Sequence, residues 1–176
     1  PSWVKDAPLW QQRLFLTPLF GAELSAPSTM TDNGRNFYAP ALSLSKREGF
    51  VESGRAFLAE LASMMEAFGV EAKDITEVAP ENRSDGRVRL RLLFSSRPES
   101  LLSLWRRVGY EYNQKRTSLA MAAVEYLKRK QQVLSRRRTA AERAEALYDA
   151  GTSPSIIYDD LTGEHVNRRF LERALY

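Results

Sequence analysis

Cysteine is absent from this chain, and histidine occurs once, at His165. The first absence excludes disulfides and thiolate zinc sites. The second argues against a histidine metal cage or a Ser-His-Asp triad. Any metal must then be a hard cation held by oxygen ligands. No run approaches the roughly 20 apolar residues of a membrane span, and no signal peptide opens the sequence. Acid is scarce in one place only. Residues 83–138 carry 15 basic and 4 acidic side chains, whereas 1–82 are net −4 and 139–176 net −3. A basic middle block between two mildly acidic ends suggests a surface for a polyanion. Arginine supplies 20 of the 26 basic residues, which suits bidentate phosphate contacts.

What is present is enough for one ordinary domain and a small appendage: 176 residues, 43% hydrophobic. "PLWQQRLFLTPLFGAE", Pro8 to Glu23, predicts a helix with Leu14, Phe15, Leu19 and Phe20 apolar and Pro18 as a kink. "NFYAPALSLSK" alternates at its end, with Leu42 and Leu44 opposite Ser43 and Ser45. A helix ending on Gly69 follows, then a weak strand, "EAKDITEVA", and a hairpin loop containing Asp85-Gly86. The clearest strand is "RVRLRLLFS", Arg87 to Ser95. It sets Val88, Leu90, Leu92 and Phe94 on one face and Arg87, Arg89 and Arg91 on the other. A helix from Pro98 to Gly109, a basic stretch "YEYNQKR" and a long helix come next, with "SRRRTAAER" as a linker. The first strand of the opening pair falls around "STMTDN" or "GRNFY".

Three like charges at period two stand about 7 Å apart and repel unless an anion lies against them. They are either a solvated sheet face or a nucleic-acid face, and the extent of the basic block favours the second. The segment 139–176 has helix-turn-helix spacing: a helix ended by Gly151, a second capped by Ser153 with Ile156, Ile157 and Leu161 apolar, and a third with Val166, Phe170 and Leu171. Its last helix offers Asn167, Arg168, Arg169 and Arg173 to DNA, and plain packing is the alternative. The expected domains are therefore 1–138 and 139–176.

Glu23 is harder to place. It closes an apolar helix where the helix dipole disfavours an acid, by a few tenths of a kcal/mol. "LTPLFGAEL", Leu16 to Leu24, resembles the motif of the LAGLIDADG homing endonucleases, matching it at Leu16, Leu19 and Ala22, with Glu23 at the acid. The element order resembles that family's core, and "VGYEYNQKRTSLAMAAVEYL" its basic stretch. The likeness spans 8–134 and is closest to the second half of an intein-encoded endonuclease, of the type interrupting an RNA-splicing ligase.

The resemblance implies an α+β fold: an α-β-β-α-β-β-α half with a saddle-shaped antiparallel sheet, followed by the all-α segment. It implies sequence-specific duplex DNA cleavage with Mg2+ or Mn2+, Glu23 as metal ligand, and Lys115 and Lys46 as catalytic residues. Ser43, Ser45, Arg87, Arg89, Arg91 and Arg116 would face DNA. A second motif-bearing half, or a homodimer partner, would pair through the Leu16–Leu24 helix, and the protein would be cytoplasmic and nucleoid-associated. Pro18 and Leu24 depart from the motif, and one motif alone leaves the chain dimeric, half of an enzyme or inactive. A non-catalytic DNA-binding domain of the same fold, a decayed intein or a regulator, is the alternative. A third reading is a structural domain whose basic face binds RNA.

Overall fold

The computed structural model describes residues 2–78 and 86–176. The expected Asp85-Gly86 turn lies partly outside them, because residues 79–85 do. The elements are α1 (Ser2–Lys5), α2 (Leu9–Glu23), β1 (Ala41–Arg47), a 3-10 turn (Glu48–Phe50), α3 (Val51–Ala67), β2 (Ala72–Val78) and β3 (Arg87–Phe94). Then come α4 (Pro98–Ser103), which passes into a π turn (Leu104–Val108), α5 (Gln114–Asp149), α6 (Pro154–Leu161) and α7 (Arg168–Leu175). The fold is α+β. It divides into two compact units, 1–125 and 126–176, and the divide falls within α5.

In the first unit the arginine strand is central: the antiparallel sheet has the order β1-β3-β2. Alternation on β3 sends Leu90, Leu92 and Phe94 inward, where all three are buried. On α3, Leu58, Leu61 and Met65 recur at helical spacing and are buried as well, against the same face of the sheet. Gly54 makes the close approach possible, since a Cβ there would stand 2.7 Å from Leu90 Cδ1 and 2.9 Å from Lys46 Cγ. On α2, Leu16 and Phe20 face the same core at spacing i, i+4, and Phe20 meets Phe94 edge to face at 6.2 Å.

Three expectations change. Instead of a four-stranded saddle the described sheet has three strands, and the first strand of the opening pair is reduced to a Thr29–Phe37 bridge. Its backbone bonds stop after Met30 N–H to Asn36 O and Tyr38 N–H to Ser28 O. Pro18 does not break α2, which continues to Glu23. The carbonyl it leaves without a donor is four residues back, at Leu14, on the helix's exposed side. Finally, "SRRRTAAER" is no linker but part of α5, because Ser, Arg, Ala and Glu carry no breaker and propagate a helix well.

The second unit has its own small core of Ala144, Ile157, Tyr158, Val166 and Leu171. Ile156, expected among the apolar positions of α6, is exposed. The Ser153 side chain makes no capping bond; its hydroxyl lies 3.2 Å from that of Ser155. No helix among the described residues is long and apolar enough to cross a membrane.

Candidate nucleic-acid interface

The open face of the sheet is built by register. Ser43 lies opposite Arg91, Ser45 opposite Arg89 and Arg47 opposite Arg87 on the β1 side. On the β2 side Thr76 lies opposite Arg91 and Val78 opposite Arg89. The result is three rows of cation, Arg91 between two hydroxyls, Arg89 beside one and Arg87 beside Arg47, and none of these eight side chains is aromatic or acidic. Arg47, Arg87, Arg89 and Arg91 are exposed. Arg47 is a member that the sequence reading missed. Its place two residues beyond Ser45 was the available signal, but only the length of β1 shows that the strand reaches it. Arg47 and Arg87 stand directly opposite each other in the register.

Lys46 takes the other side. It pairs with Val88, on the core-facing parity of β1, and its aliphatic stem runs beside Gly54 of α3. It therefore does not join the arginine face, because one step along a strand reverses the side chain.

At the tip of α2 the structure resolves what the C-terminal acid faces. Glu23 and Lys115 are both exposed. The adjacent carbonyls are satisfied by protein groups. Arg116 Nη1 donates to Gly21 O at 2.6 Å and to Phe20 O at 3.3 Å, and Asn113 Nδ2 donates to Gly21 O at 3.0 Å. Arg116, expected on DNA, thus closes the C-terminus of α2, where a cation suits the dipole. Arg107 does the same for α3, donating to Phe68 O at 3.2 Å. Among the described residues no group of three or more His, Asp and Glu side chains could hold a metal ion.

The helix face expected to pair with a second copy or half is also used internally. Leu16 and Phe20 are fully buried in this chain's own core, and Leu19 is half-buried. The exposed apolar residues of α2 are instead Leu9, Trp10 and Leu14.

Tyr110 locks the same region, donating from its hydroxyl to Ser25 O at 2.8 Å. Burial pushes its hydroxyl up to about 12, against smaller opposing effects of Trp105 and Arg116. A tyrosine with a raised folded-state value contributes stability below its unfolded value near 10 and loses it as pH rises through about 12. Wild type should therefore lose up to about 3 kcal/mol between pH 10 and 12 relative to Tyr110→Phe. At neutral pH Tyr110→Phe should itself be about 1 kcal/mol less stable for want of the Ser25 bond. Denaturant melts of both proteins across that range measure it.

In the second unit the four residues expected to contact DNA divide. Asn167 caps α7, its Oδ1 accepting from Phe170 N–H at 2.9 Å. Arg168 is committed to Glu172 at 3.0 Å and lies 4.9 Å over the Tyr158 ring. Arg169 and Arg173 line a cleft of about 290 Å3 together with Arg137, Asn167 and Phe170.

Curated relatives align with the whole of this chain. It is 32% identical over 179 residues to a protein of Methanopyrus kandleri named tRNA-splicing ligase RtcB, and 33% over 181 residues to one so named in Methanocaldococcus jannaschii. It covers 17% and 18% of their lengths. It is also 30% identical over 140 residues, 78% of this chain, to the M. jannaschii DNA-directed RNA polymerase subunit Rpo1N, covering 10% of that protein. No family model and no solved structure matches. The chain thus spans less than a fifth of the curated relatives it matches.

These findings correct the homing-endonuclease reading. The matched proteins are named as a tRNA-splicing ligase and a DNA-directed RNA polymerase subunit, so neither the LAGLIDADG and intein assignment nor the DNA hydrolase activity stands, and its non-catalytic DNA-binding variant is unsupported. The misleading signal has a physical origin. A mainly apolar stretch whose helix closes on an acid is what a half-buried helix with an exposed last residue produces: Leu16 and Phe20 turn inward and Glu23 is left at the rim.

Proposed function

We propose that this chain is an RNA-binding module carried within larger RNA-acting polypeptides, and that it holds duplex RNA through the backbone. The observation that carries this is the arginine face of the sheet: Arg47, Arg87, Arg89 and Arg91 in register with Ser43, Ser45 and Thr76, with no carboxylate among them. Successive arginines on β3 lie about 6.7 Å apart, which lets each meet a separate phosphate. The flanking hydroxyls suit the 2′-OH, which both donates and accepts. Sheets that read single strands do so by stacking bases on aromatics, and this face has none. The ligase names favour RNA as the polyanion, while the small share of each relative that the chain covers, and the difference between the ligase and polymerase names, favour a module separable from the activity of either. The RNA ligation of the named ligases would then reside in the rest of such a polypeptide, with this segment supplying grip.

Titration of the chain with one sequence as duplex RNA, duplex DNA and single-stranded RNA, at one salt concentration, tests the reading. Duplex RNA should bind tightest. Tighter binding of duplex DNA would overturn the choice of ligand, and no binding of any of the three would overturn the module.

A further inference from the structure

The second unit holds a cationic cleft that the sheet face does not involve. Its walls are Arg137 from α5, Asn167 at the cap of α7, and Arg169, Phe170 and Arg173 from α7. Arg137 is fixed from two sides. Its Nε donates to His165 O at 2.8 Å, and its guanidinium stands 5.5 Å over the Phe170 ring. His165 presents that carbonyl from a left-handed backbone, φ 71°, in the turn closed by reciprocal Gly163–Val166 bonds. A non-glycine residue held there costs free energy, and here the cost fixes one guanidinium edge. With Nε engaged, the Nη groups of Arg137 remain to donate. Asn167 has its Oδ1 engaged at the cap, which leaves its Nδ2 protons to donate.

Arg169 and Arg173 are an i, i+4 pair of like charge, which destabilises an isolated helix. Arg169 also sits in the first turn of α7, where the helix dipole opposes a cation. Neighbouring cations are neutralised within the unit: Arg168 by Glu172 at 3.0 Å, Arg136 by Glu164 at 2.7 Å and Arg143 by Asp160 at 2.8 Å. Arg169 and Arg173 have no such partner among the described residues. Arg136, Arg143 and Arg168 are thus paired with carboxylates, whereas the lining of the cleft holds three arginines and no carboxylate.

We propose that this cleft is a phosphate-binding site, in which Arg137, Arg169 and Arg173 contribute charge and paired donors and Asn167 a neutral donor. Guanidinium forks match phosphate oxygens in geometry as well as charge, so phosphate should be preferred to a monovalent halide at equal ionic strength. The phosphate can come from a nucleic-acid backbone or from a phosphomonoester such as an RNA 5′ end. The site is independent of the sheet face.

The test is an NMR titration of the full chain, following the Arg Nε–H signals, with inorganic phosphate against sodium chloride at matched ionic strength. Saturable shifts at Arg137, with phosphate only, are expected. Arg169→Ala/Arg173→Ala should weaken the phosphate response at least tenfold, while Arg89→Ala/Arg91→Ala leaves it unchanged. A second titration compares a short RNA with and without a 5′-phosphate. Preference for the phosphorylated end identifies a monoester site, and equal competition identifies a backbone site; both support the cleft. An equal response to chloride and phosphate, or an unaltered one in the folded Arg169→Ala/Arg173→Ala protein, overturns it.

Discussion

Replacing Arg87, Arg89 and Arg91 together with alanine should weaken duplex RNA binding about a hundredfold near 0.15 M salt and reduce the slope of log affinity against log salt by about 2 to 3. Each arginine that meets a phosphate releases about one counterion, so the loss should appear in the slope as well as in the affinity. The fold should persist, since all three side chains are exposed and the core face of β3 is untouched. An unchanged slope in the folded triple variant would show that the polyanion lies elsewhere. Arg47→Ala alone should remove one contact, about 0.9 in slope or somewhat less, and so tests whether the strand register places it on the same ligand.

Gly21→Ala should cost about 3 kcal/mol or more, a fall of roughly 10 °C in Tm. A Cβ at Gly21 would overlap the backbone carbonyl oxygen of Glu111, which is not a flexible side-chain end that could swing away. The last turn of α2 and the segment leading into α5 would have to separate. That separation would also strain the bonds from Arg116 and Asn113 to the Gly21 carbonyl and from Glu111 N–H to Thr17 O. Gly34→Ala is the control: nothing lies within 4 Å of the added carbon, so its effect should stay within about 0.5 kcal/mol. Equal melting of the two variants would mean that this contact does not anchor α2.

The two residues show different degrees of legibility. The arginine face was visible in "RVRLRLLF", since a period of two allows only one assignment of sides. Gly21 read only as part of an apolar motif, because its neighbour, Glu111, lies 90 residues away in the chain. The same distance hid the role of Arg116. The resemblance put it on DNA, and the fold spends it on the carbonyls of Phe20 and Gly21. Lys46 was given to a site by resemblance, although its parity with Leu42 and Leu44 already placed it on the helix side of the sheet. The fold also engages Asn167 and Arg168 locally, the first accepting from Phe170 N–H and the second donating to Glu172.

By itself the sequence determined the start and the two faces of β3, the absence of thiol chemistry and the concentration of positive charge in the middle of the chain. Those follow from local periodicity and composition, which need no knowledge of distant neighbours. Tertiary structure decided which cations face outward. Helix C-termini present carbonyls that lack donors, and a guanidinium carries five donors on a long stem, so arginines such as the exposed Arg107 and the half-buried Arg116 fold back to close them. It also decided that Leu16 and Phe20 serve this chain's own core rather than a partner's, because a helical face is committed only when another element packs against it.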